Sequence, residues 1–309
     1  MEIGLSVTSA HPRDVDARTA ARWVVERAAA TAEAGFSSFS IGDHHATPSH
    51  YLQNVPMLAR CLAELGSMPV IPLFLLPLWH PVLLAEQLGT LGAIAQGPVH
   101  CILAIGPDDA QFPALGVSAR QRRSRMEEAV PLLRRLLSED GVTHEGQYWQ
   151  LEGVSVNPKP PQPPDFWIGA NVPAAIERAA RVGNSWLASP AETPESLSEK
   201  GAFFGEAVSR YDRADAITAY PVRRDVYVGE SDAEAEASAS EVLASGYRGF
   251  GTAPLIVGGP ETAIAAFRDL ESRGYDHTLM RFLPVGQEKI LESIRRIGRE
   301  VLPAVRTTG

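Results

Sequence analysis

Several things are scarce in this 309-residue chain, and each scarcity excludes a class of protein. There are two cysteines, Cys61 and Cys101, and neither has a Cys-x-x-Cys neighbour. A disulfide framework or a cysteine zinc site is therefore not expected. Basic charge is also short: 28 Lys and Arg face 37 Asp and Glu, for a formal net charge of -9 and a pI near 5.4. A nucleic-acid binder would show the opposite balance on one face. No apolar run approaches the ~20 residues that span a bilayer. The opening "MEIGLSVTSAHPRD" lacks a basic segment leading into an apolar core, so no secretory signal is expected and the reading is cytoplasmic. No Gly-x-Gly-x-x-Gly follows the first apolar run, and no Walker glycine-lysine pattern occurs, which removes the two commonest nucleotide folds.

What is present is alternation. Short apolar runs at 3–7, 38–42, 69–78, 99–106, 165–170, 185–189, 222–229 and 277–282 read as strands, and nearly all are followed by helical patterns. The helices carry their own punctuation. Gly35, Gly183 and Gly274 sit where C-terminal glycines belong, Pro81 and Pro260 open helices, and Asn171 is placed as an N-cap. Ser118/Gln121 and Ser231/Glu234 fit capping boxes. The aromatic and proline-rich stretch at 143–164 predicts a short hairpin and a crossing loop. Eight βα units without a composition break predict a single (β/α)8 TIM barrel over residues 1–309, with insertions.

In such a barrel, ligands bind at the C-terminal ends of the strands. Asp43, His44 and His45 follow strand two, Trp79 and His80 follow strand three, and Gly106 and Asp108 follow strand four. Gly169, Ala170 and Asn171 follow strand five. The histidine cluster has three readings. A metal site is the weakest, because adjacent histidines point opposite ways and no HxH pair ends strand one. A capped, solvated loop is the plainest. A neutral imidazole acting as acid, base or hydrogen-bond donor is the third. His50 is read as the start of the next helix. The "GANVPAA" turn at 169–175 could hold an anion at a helix N-terminus, or be an ordinary strand-to-helix turn. The basic run Arg120, Arg122, Arg123 and Arg125 is a solvated helix face first and a phosphate contact second.

Taken together, "IGDHH", "LPLWHPVLLAEQLGTL", "RSRMEEAVPLLRRLL", "THEGQYWQLEGVSVNPKPPQPPDFWIGAN", "AIERAARVGNSWL" and "GGPETAIAAFRDLESRGYDHTLMRF" resemble the luciferase-like flavin-dependent oxidoreductases. The order of the pieces matches, and they span nearly the whole chain. The resemblance implies a bacterial luciferase-like barrel holding reduced FMN, supplied by a partner flavin reductase, that oxygenates a small organic substrate. F420-dependent hydride transfer on the same barrel and a non-catalytic flavin-binding protein are the alternatives. A homodimer is implied as well. His44 would be catalytic, and Asp43, Leu76, Gly106, Gly169, Ala170 and Asn171 would hold the cofactor, with an unusual peptide bond near Leu75–Leu76. His45, Trp79, His80 and Asp108 would line the substrate pocket. Strand four ends in "AIGPDD", where the family commonly has a Gly-x-Gly turn.

Overall fold

Alternate residues on each apolar run face opposite ways, and this alone divides the chain into two cores. The computed structural model describes residues 1–107, 109–249, 251–252 and 254–306. Eight parallel strands form the barrel: β1 (Glu2–Val7), β2 (Ser38–Ile41), β3 (Leu73–Leu75), β4 (Cys101–Ala104), β5 (Phe166–Ala170), β6 (Ser185–Ala188), β7 (Pro221–Val228) and β8 (His277–Phe282). Outward residues such as Ile3, Leu5, Phe39, Leu103, Ile168 and Trp186 pack against the helices in one large cluster. Their inward neighbours Ile71, Ile102, Trp167, Leu187 and Leu279 form a separate cluster that fills the barrel floor. Truncating a buried residue such as Phe39 (0% exposed) to Ala would cost ~3–5 kcal/mol.

The ladder runs β2-β1-β8-β7-β6-β5-β4-β3. Closure between β2 and β3 is sparse. It rests on one bridge, Phe39 to Val70, made by the Phe39 N–H to Pro69 O at 3.0 Å and the Ile71 N–H to Phe39 O at 2.8 Å. Pro69 and Pro72 carry no N–H, so this seam cannot be a full ladder. Side chains complete it: Asn54 Nδ2 donates to Leu73 O at 2.7 Å, and Asp43 Oδ2 accepts the Leu75 N–H at 2.9 Å.

Helices α1 (Ala17–Glu33), α2 (Asn54–Leu65), α3 (Pro81–Ile94), α4 (Arg122–Ser138), α5 (Pro173–Val182), α6 (Pro194–Arg210), α7 (Asp232–Ala244), α8 (Pro260–Ser272) and α9 (Gln287–Arg296) surround the strands. Their starts follow local chemistry. Asp16 accepts the Thr19 N–H, Thr193 the Ser196 N–H, and Ser231 the Glu234 N–H, while the Glu234 carboxylate reaches back to the Glu230 N–H, one residue before the cap. Gly183 is needed for contact: a Cβ there would lie 2.7 Å from Ile168 Cγ1 and 2.8 Å from Ala179 O. The expected hairpin is present as an antiparallel pair, Val142–Glu145 with Gln150–Val154.

The structure departs from the sequence reading in several places. The third run stops at Leu75, and a 3-10 turn over Leu76–Leu78 follows. Arg122 opens α4 after a 3-10 turn at Ala119–Gln121, and Ser118 makes no side-chain cap there. Val172, not Asn171, is the N-cap of α5, because Pro173 takes the first helical position. Gly183 is extended at φ -88°, not left-handed. His50 pairs with His11 in a two-residue antiparallel ribbon, Ala10–His11 with His50–Tyr51, instead of starting a helix. A further short parallel strand, Ile256–Gly258, adds to β7. Among the described residues no helix is long and apolar enough to cross a membrane.

Candidate active site

The loop after β2 is anchored by Asp43, whose side chain is fully buried. Oδ2 accepts the Leu75 N–H at 2.9 Å and the Trp79 Nε1–H at 2.8 Å, so one carboxylate ties β2 to the end of β3. Oδ1 faces His45 Nε2 at 3.2 Å, close enough for charge pairing though not aligned as a hydrogen bond. This pairing raises the His45 pKa against the lowering effect of burial. Ala46 then turns the chain at φ +50°, a conformation that costs a residue with a Cβ ~1–2 kcal/mol.

His44 points the other way. Its Nε2 stands 3.6 Å from Asp109 Oδ2, with both side chains about one-third exposed, and its ring lies 5.8 Å from that of Tyr51. The carboxylate can orient the imidazole while leaving it open to a ligand. Tyr51 is seated over Gly42, where a Cβ would meet its hydroxyl at 2.9 Å.

Two adjoining cavities, of about 350 and 370 Å³, occupy the barrel mouth and share Leu73, Pro107 and Arg223. The first is polar and contains Ser6, Thr8, Asp43, His44 and Tyr51. The second is lined largely by small or apolar residues, among them Ile102, Ala104, Gly106, Gly169, Ala170, Leu187 and Ala188, with Asn171 and Ser189 at its edge. Gly106 holds φ +73°, which only glycine adopts without strain.

The mouth therefore gathers Asp43, His44, Gly106, Gly169, Ala170 and Asn171. Other expected residues lie elsewhere. Leu76 is buried in the outer core, and it is Leu75 that lines the mouth. The Leu75–Leu76 bond is trans; among the described residues only Asn157–Pro158 is cis. Trp79 is engaged by Asp43 and packs edge-on against Phe74. His80 caps α3, its Nδ1 accepting the Val82 N–H at 3.3 Å, and it lines neither cavity. His45 is held by Asp43, and Asp108 lies outside the described residues. In the basic run, Arg125 Nε donates to Pro77 O at 2.8 Å and its guanidinium sits 5.1 Å and 4.7 Å from the Tyr148 and Trp149 ring centres. Among the described residues no group of three or more His, Cys, Asp or Glu is arranged to hold a metal.

The sequence reading missed the arginines. Arg223 on β7, Arg281 on β8 and Arg248 beyond α7 all line the polar cavity. Asp225, two residues past Arg223 and so on the same face, accepts Arg248 Nη1 at 2.7 Å. The signal was available in "VRRDVYV" and "HTLMRF": charged residues at alternate strand positions must face either the core or the barrel interior.

The luciferase-like monooxygenase family model matches residues 1–254. The chain belongs to that family. The luciferase-like chain is also 30% identical over 180 residues to a protein of Kineococcus radiotolerans named F420-dependent glucose-6-phosphate dehydrogenase, covering 54% of this chain and 52% of that one. It is 26% identical over 220 residues to the oxygenase component of flavin-dependent trigonelline monooxygenase from Acinetobacter baylyi, covering 67% and 59%. The chain thus spans about half the length of the curated relatives it matches. Among solved structures, monooxygenase RslO1 from Streptomyces bottropensis superimposes with a TM-score of 0.87 at 21% identity, over 99% of this chain and 100% of that one. That likeness establishes the luciferase-like barrel.

The apolar cavity suits the planar three-ring system such enzymes use. Its wall of Ala104, Gly106, Gly169 and Ala170 presents almost no side-chain bulk, and a Cβ at Gly169 would meet nothing nearer than Ala104 Cβ at 3.6 Å. The start of α5 at Val172 has no side-chain cap and opens beside Asn171; Pro173 carries no N–H and the Ala175 N–H is taken by Val172 O, so the Ala174 N–H is the helix donor left for a phosphate.

Proposed function

We propose that this luciferase-like chain is a flavin-dependent oxidoreductase of the monooxygenase type, oxygenating a small organic substrate. The two-part mouth is the observation that carries the reading: a small-walled, largely apolar cavity joined to a polar one that contains His44. Reduced FMN, supplied by a separate flavin reductase, would bring the electrons that activate oxygen, one atom going to the substrate and the other to water. Ala104, Gly106, Gly169 and Ala170 would flank the ring, and Asn171 with the start of α5 would meet the phosphate. Ile102, Leu187 and Leu73 exclude water beneath it. His44 Nε2, oriented by Asp109, would hold or move the proton of the reacting oxygen, and Asp43 would position the loop that carries it. In this reading the enzyme works in the cytoplasm as a homodimer.

F420-dependent hydride transfer is a second reading, favoured by relatives whose names carry that cofactor. His44 would then exchange a proton with the substrate oxygen. Titrating the purified protein with reduced FMN, FMN and F420 separates the two. Binding of reduced FMN is expected, F420 binding without it would replace the first reading with the second, and binding of neither would sink both.

A further inference from the structure

The polar cavity holds more positive charge than the protein can satisfy. Arg223 and Arg281 project into the barrel mouth from adjacent strands, and both Nε atoms are buried without a hydrogen-bond partner. Among the described residues neither has a carboxylate within ion-pair reach. The acids nearby are partly committed, and Asp225 acts on Arg223 only through space. Asp225 Oδ2 takes Arg248, and Asp43 serves Leu75, Trp79 and His45. Burial first, and then repulsion from Arg281, pushes the Arg223 pKa down to about 10, so the guanidinium remains charged at neutral pH. Arg223 and Arg281 are half-buried, and cations so placed with no carboxylate bound to them are costly unless a partner arrives.

We propose that Arg223 and Arg281 form a recognition site for an oxyanion on the substrate, a carboxylate, phosphate or sulfonate carried close to the reacting carbon. A guanidinium matches such a group with two parallel N–H donors, and two guanidiniums from neighbouring strands can clamp it from two sides. Position favours substrate over cofactor. Arg281 lines the cavity of His44 and Tyr51 but not the one walled by Gly106, Gly169 and Ala170, and Arg223 stands at the junction. An anion held there places the rest of its molecule between His44 and the apolar cavity. The proposal rests on the reading of the mouth as the active site and adds the chemical class of what enters it.

The test uses the full chain and its Arg281→Gln and Arg281→Lys variants, with inorganic phosphate, acetate and methanesulfonate titrated by calorimetry at fixed ionic strength. The protein is first saturated with reduced FMN or F420, whichever it binds. At least one oxyanion is expected to bind the wild type with one-to-one stoichiometry, and the tightest identifies the group. Arg281→Gln should weaken it about tenfold or more, as expected for loss of a bidentate charge-assisted contact, with Arg281→Lys in between. Cofactor affinity should be unchanged, and the unliganded Arg281→Gln protein should melt no lower than wild type, since a half-buried cation with no bound carboxylate has gone. The proposal is overturned if no oxyanion saturates the wild type, if oxyanions displace the cofactor, or if Arg281→Gln binds them equally well. If Arg281→Gln does not fold, Arg281→Lys and Arg223→Gln decide by the same criteria. If neither cofactor binds, the assigned chemistry fails, while oxyanion binding to the unliganded protein and its loss in Arg281→Gln still report on this site.

Discussion

Asp43→Ala is the most informative single change, because one buried carboxylate serves both the loop and the barrel. Its Oδ2 is the acceptor for the Leu75 N–H at 2.9 Å and the Trp79 Nε1–H at 2.8 Å. Alanine removes two charge-assisted bonds and leaves two shielded donors unmet. At ~1–3 kcal/mol for each stranded donor, the loss should be roughly 3–5 kcal/mol. For a chain of this size each kcal/mol lowers the melting point by about 2 °C, so a fall of roughly 6–10 °C is expected. Asp43→Asn keeps a neutral acceptor and should lose about half as much. A second readout separates this account from generic damage. The His45 pKa is raised above its ordinary 6.5, first by its pairing with Asp43. The contribution of that pair is complete below pH 6.5 and disappears as the pH rises through the raised value. Urea unfolding at pH 6 and pH 8 should show this decline in wild type and not in Asp43→Ala. The reasoning is refuted if Asp43→Ala melts with the wild type, or if its stability keeps the same pH dependence.

Three further expectations follow from the geometry. His44→Ala should reduce kcat by about 10²–10⁴-fold, the range for losing a general acid or base, while affinity for the bound cofactor stays level; steady-state rates and a cofactor titration check this. His277, half-buried at the barrel end opposite the mouth with Nε2 2.9 Å from Ser38 Oγ, has its pKa pushed down to about 4, by burial first and then by His100. Its neutral form favours the fold above pH 6.5, and that advantage is lost as the pH falls towards 4; His277→Gln should remove on the order of 3 kcal/mol of acid destabilisation in paired denaturant curves. Glu128 accepts the N–H groups of Gln147, Tyr148 and Trp149, so Glu128→Ala should loosen the hairpin by about 2 kcal/mol, read as faster amide exchange across residues 142–154.

The barrel was legible because its strands obey a period of two and its helices announce their ends. Strand β7 was found by the apolar run at 222–229. Errors came where a one-residue offset decides the outcome. The family resemblance placed Leu76 at the cofactor, yet the 3-10 turn after Leu75 rotates Leu76 into the outer core. Trp79 and His80 sit at the rim in sequence, but Asp43 claims the indole and the start of α3 claims the imidazole. His44 was legible from its place after β2. The arginines were passed over, because apolar patterning marks Arg223 and Arg281 only as interruptions of a strand. Recognising them requires knowing that the barrel interior above the Trp167 layer is polar.

The sparse seam between β2 and β3 gives the molecule a preferred place to open. Most adjacent strands are joined by runs of backbone bonds, β6 and β7 by the single pair Ala188 with Val222, but here the upper half is held by the side chains of Asn54 and Asp43. Sub-global opening follows the weakest boundary, so the amides of Ile71 and Leu75 should exchange before those of β1 or β8. The hinge of such an opening coincides with the root of the His44 loop. A bound ligand that braces this loop would therefore slow breathing of the whole barrel, and protection at Leu75 would report occupancy of the mouth without any label on the ligand.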